Sequence, residues 1–262
     1  RANGVNLGNY DHIAYVSPAN PCGHIGLGAP GRSWYIGDPS SLVFAHELGH
    51  HLGMDHAASI RCGTKRIDSY LKCQMSNAGD SFDTMGLTRG NMYHFNAPHK
   101  VAMGWIPSSR IQSITTDGTY KITPLETLSG SDALVLKIIK PGWNYYISYR
   151  KQLIGFDASL PSYMTSGASI HMAPFQIRSV GGDTGFIDVL ADGESLYDGI
   201  NGIQITQMRH DTSSVTVEVK FVASEITTTT TTLPIGRTII LKQGEHTTQT
   251  IAPIIGVDQA VL

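Results

Sequence analysis

His46-Glu47-Leu48-Gly49-His50-His51-Leu52-Gly53-Met54-Asp55-His56 sets three imidazoles and a carboxylate at fixed intervals along one short stretch. His46 and His50 are four residues apart, which on a helix stacks them on one face and lets both aim at a single ion. His56 follows six residues after His50, and continued helix would carry it away from that face. Gly53 resolves this: without a β-carbon it takes a positive φ at little steric cost, ends the helix and turns the chain so that His56 becomes the third ligand. Three protein ligands with one position left open is the arrangement of a hydrolytic metal site. Glu47, on the same turn as His46, is placed to take a proton from water polarised by the cation. His51 points about a third of the way round the helix from His50 and reads as a partly exposed or internally satisfied histidine. The two-histidine core of this pattern recurs by chance in ordinary helices. The glycine and the third histidine, each one residue type at one position, make the metal site the stronger reading.

Downstream, Asp80-Ser81-Phe82-Asp83-Thr84-Met85-Gly86 reads as a short turn around one methionine. HExxHxxGxxH followed by such a turn resembles the metzincin metalloproteases. The resemblance implies one Zn2+ held by His46, His50 and His56, Glu47 as catalytic base, and Met85 as an apolar floor beneath the ligands. Asp83-Thr84-Met85-Gly86, together with Phe95-Asn96-Ala97-Pro98-His99-Lys100-Val101-Ala102-Met103-Gly104-Trp105, is most similar to the gametolysin family of secreted peptidases, over about Tyr10 to Phe221. Ala57 stands where adamalysins carry Asp, astacins Glu and serralysins Pro. Leu87 stands where astacins and serralysins have a tyrosine that can join the metal, so those subfamilies fit less well and no tyrosine switch is expected. The same resemblance makes His12-Ile13-Ala14-Tyr15-Val16 the edge strand of the cleft, with an extended peptide lying along it near Tyr15. It also makes Asn96 to Trp105 a helix under the methionine turn, ended by Pro107.

The chain has 262 residues, 41% of them apolar, enough for one large or two modest domains. Its formal net charge of −2 provides no basic field for nucleic acid or an anionic membrane, and no apolar run approaches a bilayer span. Arg1 to Gly8 lack the basic-then-apolar order of a signal peptide, so any such segment is expected upstream or already removed. Few charges and many Gly, Ser and Thr fit a secreted, β-rich protein, expected as a monomer. Cys62 and Cys73 bracket a short polar loop and are the expected disulfide; Cys22 is left over, and pairing with either of them or with a cysteine outside this sequence stays open, as does a set of three reduced thiols.

The expected architecture is an α+β metzincin-like catalytic domain at residues 1–106, followed by an antiparallel β-sandwich at 107–223. With 45 residues ahead of His46, the chain is expected to begin inside the catalytic domain. Cys22 to Pro39 is glycine-rich and reads as loop with a short strand at Ser33–Ile36. Ser40 or Ser41 caps the motif helix, whose Leu42, Val43, Leu48 and Leu52 recur at helical spacing. After Pro107, seven short runs starting at Thr119, Ala133, Trp143, Ala168, Phe186, Gly202 and Ser214 read as strands separated by Gly, Pro and Asp. Residues 224–234 form a threonine-rich linker, and 235–262 the start of an accessory module or an extension.

The leading expectation is a secreted zinc endopeptidase acting on protein or glycoprotein substrates. A non-catalytic glycan- or glycoprotein-binding protein with a structural zinc is the alternative, and Glu47 argues against it because a structural site needs no base. Non-proteolytic zinc hydrolysis, such as amide cleavage in a cell-wall component, shares the metal chemistry. Asp183, Asp188, Asp192 and Asp198 offer oxygens for Ca2+, but their spacing matches no calcium loop and turn or strand-end roles are expected. His12, His24, His94, His99 and His171 have no ligand spacing and read as surface or packed histidines.

Overall fold

Ser40 opens the motif helix, α1 (Ser41–His51): its Oγ accepts the Val43 N–H at 3.4 Å, satisfying one of the amides that every helix start leaves over. At the other end Gly53 takes φ 97°, on the left-handed side that a side chain disfavours, and the chain leaves the helix axis. In this computed structural model the described residues are 4–19, 23, 25–68, 72–127, 129–140, 142–153, 155–174 and 183–222, with the backbone of 228–232 and 238–242. Cys22, His24 and residues 243–262 lie outside them.

Helix α1 rests on a three-stranded sheet of β1 (Ile13–Ser17), β2 (Gly26–Ala29) and β3 (Arg32–Ile36), in the order β1-β3-β2. β3 runs parallel to β1 and antiparallel to β2. His51 anchors the helix to this sheet, with Nδ1 2.9 Å from Ser33 Oγ and Nε2 2.7 Å from His12 Nδ1. It is the internally satisfied histidine of the motif. Buried Tyr35 stacks on Phe44 with ring centroids 4.5 Å apart. Leu48 and Leu52 lie on the more open side of α1, about a third exposed, because the small sheet covers one flank only. Strand β2 falls in the stretch expected to be loop; glycine is a poor strand former, and its pairing with β3 supplies what its own composition lacks.

Beyond α1 come β4 (Ala57–Arg61) and β5 (Gln74–Ser76), with Ser59 opposite Ser76, and the hairpin is cross-linked by the expected Cys62–Cys73 disulfide. Helix α2 (Ala97–Ala102) is capped by Asn96, whose side chain accepts the His99 N–H at 3.0 Å, and stops short of Trp105 where Gly104 takes φ 70°. The rest is β-structure: β6 (Ile111–Ser113), β7 (Gly118–Ile122), β8 (Val135–Lys140), β9 (Trp143–Tyr149), β10 (Ala168–Ala173), β11 (Thr184–Leu190), β12 (Ser195–Asp198), β13 (Ile203–His210) and β14 (Val215–Phe221). All seven expected strand runs are present among them.

These strands form a seven-stranded sheet, β5-β4-β11-β10-β9-β8-β6, and a four-stranded sheet, β12-β13-β14-β7. Alternation along β13 and β14 turns Ile203, Ile205, Val215, Val217 and Val219 inward, where they join Leu136, Ile138, Tyr145 and Ile147 of the larger sheet in one apolar cluster. β4 pairs in parallel with β11, Ala57 opposite Thr184. Backbone pairing therefore runs across the boundary expected at residues 106 and 107. Further on, Thr228–Thr232 (β15) pairs antiparallel with Thr238–Lys242 (β16), so part of the threonine run expected as a tether is strand, as suits a β-branched residue. No described helix is long and apolar enough to cross a membrane.

The Cys62–Cys73 bridge closes a loop with a sequence separation of 11. Chain-entropy reasoning gives such a loop roughly 2–3 kcal/mol of stability. Urea unfolding of a Cys62→Ala/Cys73→Ala variant is expected to show a loss of that size relative to the oxidised wild type, and equal midpoints would contradict it.

Candidate metal centre

His46 and His50 project from one face of α1, and the turn at Gly53 brings His56 to them. One ring nitrogen from each lies within 4.8 Å of the others, forming the one group of three or more His, Cys, Asp or Glu side chains among the described residues that could hold a metal ion. The other nitrogens are engaged. His46 Nδ1–H donates to the Thr84 carbonyl at 2.8 Å and His50 Nδ1–H to the Met54 carbonyl at 2.9 Å. A carbonyl only accepts, so it fixes the proton on Nδ1 and leaves the Nε2 lone pair for a cation. His56 bonds to the Asn77 side chain. Burial lowers the His46 pKa, with the Thr84 bond opposing, and burial with the neighbouring His50 and His46 lowers that of His56. Both rings are thereby biased toward the neutral form that ligates. Nitrogens around a tetrahedral zinc stand about 3.4 Å apart, so the three rings fit such an ion after closing in by at most ~1.4 Å.

Glu47 is half-buried beside them. Burial raises its pKa, while His50, His56 and the N–H of Gly28 pull the other way. Gly26 and Gly28 belong to β2, the strand against this part of α1. A β-carbon at Gly26 would come within 2.5 Å of Glu47 Cγ, and one at Gly28 within 2.5 Å of the Glu47 carbonyl oxygen and His50 Cβ. Only glycine lets the strand approach so closely. The strand at the site is therefore β2, at the opposite edge of the sheet from β1, and Tyr15 of β1 stacks on Trp34 instead. The three rings and Glu47 are brought together as the spacing of the motif required.

Met85 is fully buried and clusters with Met54, Ala57, Phe95 and Met103. It lies against Gly49, between the two helical histidines, where a β-carbon would overlap its sulfur and stand 3.1 Å from its Cε. Gly49 is thus a site residue that the motif leaves undefined.

A second set of groups, missed in the sequence, secures this floor. The buried Asp83 carboxylate accepts the Met85 N–H at 2.5 Å, the Asn96 N–H at 2.6 Å and His99 Nδ1–H at 2.9 Å. His99 Nε2–H reaches Asp183 Oδ1 at 2.6 Å, and Asp183 Oδ2 accepts the Asp55 N–H at 3.2 Å, one residue before His56. One chain of bonds thus runs from the methionine turn through α2 to the third histidine. Burial alone would push the His99 pKa down; the charge of Asp83 and the bonds to Asp183 and Asp83 outweigh it and raise it to about 10. Burial likewise would raise that of Asp83, and His99 holds it below the usual carboxylate range. Nearby, Asp80 accepts from Asn96 Nδ2 at 3.3 Å and His171 Nε2 at 3.1 Å, while fully buried Arg150 grips Asp157 at 2.6 and 3.1 Å. The Asp83-x-Met85 spacing, a turn aspartate two residues before the methionine, was the one local signal for this network.

The other acidic side chains considered for Ca2+ are engaged by protein donors: Asp188 by Arg66 at 2.7 Å, Asp192 by His210 at 2.9 Å and Gln207 at 2.8 Å, Asp198 by Tyr145 at 2.5 Å and Asn201 at 2.6 Å. Comparison with protein-family models, curated proteins and solved structures found no match.

The charged His99 makes stability pH-dependent in a defined direction. Its folded pKa, about 10, lies above the roughly 6.5 of an unfolded histidine, so its contribution is complete below pH ~6.5 and is lost as pH rises toward 10. Urea midpoints measured from neutral to alkaline pH are expected to fall more steeply for wild type than for His99→Gln. At neutral pH that variant should be less stable by about 3–5 kcal/mol, having stranded two carboxylates. Parallel pH profiles for the two proteins would contradict the assignment.

Proposed function

We propose that the chain is a secreted zinc endopeptidase that hydrolyses peptide bonds in extracellular or cell-surface proteins and glycoproteins, built as a metzincin-like domain with an appended β-sandwich. The observation that carries this reading is the combination of two Nδ1–H groups tied to main-chain carbonyls, three ring nitrogens converging, and a carboxylate beside them that forms no ion pair with a Lys or Arg among the described residues. The β-rich fold and the disulfide are compatible with it, and the latter fits an oxidising compartment.

His46, His50 and His56 would hold Zn2+, which when bound supplies Lewis-acid polarisation of the carbonyl and of water. Glu47 takes the proton from the attacking water and delivers it to the leaving nitrogen, so one carboxylate serves as base and then as acid. The Gly28 N–H holds the carboxylate in place, and Met85 beneath Gly49 keeps the ligand-bearing turn of α1 from shifting. β2 is the outer strand of its sheet among the described residues, so an extended peptide laid along it beside Glu47 can bring a carbonyl to the site.

Glu47→Gln tests the reading because it keeps size and removes the base. Peptide hydrolysis is expected to fall by ~10²–10⁴-fold while zinc content and melting temperature stay close to wild type. His56→Ala is expected to lose both zinc and activity. A Glu47→Gln enzyme cleaving at the wild-type rate would overturn the mechanism, and a zinc-replete wild type that cleaves no peptide would favour a binding protein with a structural metal.

A further inference from the structure

Past Asn77, the partner of His56, the surface opens into two adjoining clefts of about 500 and 840 Å³ that share Ser59, Arg61, Gly79, Ser81 and Arg89 as lining. The three imidazoles line neither. Alternation along β4 sends Ala58 and Ile60 into the core and leaves Ser59 and Arg61 facing the clefts. Arg89 holds φ 53°, the one non-glycine residue at positive φ among the described residues, so its exposed side chain is presented from a backbone conformation that carries a cost.

The charges of this surface are unequal in their commitments. Arg66 is paired with Asp188 at 2.7 Å and Glu194 at 2.8 Å, and Lys65 with Asp68 at 3.6 Å. Arg61 and Arg89 have no acidic partner among the described residues, although the chain as a whole is slightly acidic. Two unneutralised guanidinium groups on one open cleft suit carboxylates, whose oxygens match the planar N–H fork. The larger cleft adds rings, with Phe82 edge-on to Tyr163 at 5.4 Å. Among the described residues β5 is the outer strand of its sheet, and its Ser76 lines the smaller cleft. An outer strand offers backbone donors and acceptors that an extended polypeptide can pair with in register and a glycan cannot.

We propose that this double cleft binds an acidic polypeptide segment, with β5 pairing its backbone and Arg61 and Arg89 taking its carboxylates. Under the peptidase reading, on which the word substrate rests, that segment belongs to the substrate and lies to the His56 side of the bond being cut, so the protein selects chains with Asp or Glu clustered there.

The test measures binding without turnover. Zinc-loaded full-length Glu47→Gln protein is titrated by fluorescence anisotropy, at low ionic strength, with labelled short peptides of one design carrying Glu, Gln or Lys. The Glu peptide is expected to bind about tenfold or more tightly than the Gln peptide, the worth of one or two charge-assisted pairs. Arg61→Glu/Arg89→Glu in the same background should invert the order to favour Lys, and Arg61→Gln or Arg89→Gln alone should shrink the ratio. Equal binding of Glu and Gln peptides, or a Glu preference that survives the double reversal, overturns the proposal. So does binding of polygalacturonate with none of the Glu peptide, which would make the cleft a site for acidic glycan. Absence of peptide cleavage by wild type would count against the peptidase reading while leaving these ratios in force.

Discussion

The Asp83 carboxylate is the constraint on which the site depends. Buried without solvent, it is acceptable only because three donors converge on it: the amides of Met85 and Asn96 and the charged ring of His99. Those donors belong to the methionine turn, the cap of α2 and α2 itself. Through His99 and Asp183 the same charge reaches the amide beside His56. Each bond relieves the desolvation of the next group, so the alternating row of carboxylate, imidazolium and carboxylate stands or falls together. Removing its central cation would leave two acids facing each other across the floor of the site.

On this floor the imidazoles are oriented by main-chain atoms. Thr84 lies next to Met85 and Met54 next to the end of the ligand helix, so the carbonyls that select the tautomers of His46 and His50 come from segments held in place by the same packing. A shift of the methionine turn would therefore alter the rings as well as their support. The glycines at 26, 28 and 49 contribute by absence: each keeps a β-carbon out of a space already filled by Glu47, His50 or Met85. Two strands that end their sheets among the described residues flank the result, β2 by Glu47 and β5 by way of Asn77.

Much of this was legible in the sequence because it is local. The histidine spacing, the positive φ of Gly53, the Ser40 cap and the Cys62–Cys73 pair each involve residues close along the chain, as do the seven strand runs with their alternation. What stayed hidden depends on distant partners. His99 and Asp183 are separated by 84 positions and Asp55 and Asp183 by 128, so neither bond leaves a trace in spacing. The parallel pairing of β4 with β11, which joins the segment with the metal motif to later strands, is hidden for the same reason. β2 was missed on different grounds. Its glycines read as loop, yet they are there because the helix lies too close for side chains. Arg61 and Arg89 look like any surface arginines until the cleft they share and their lack of acidic partners come into view.

The proposed chemistry needs three ring nitrogens meeting at one ion, and X-ray absorption at the zinc edge of the metal-loaded protein tests that directly. The expected spectrum is that of one zinc per chain, with three imidazole nitrogens at about 2.0–2.1 Å, outer-shell scattering from three rings and one further light atom. A sulfur ligand, a shell with fewer imidazoles, or an unchanged spectrum after His56→Ala would contradict it.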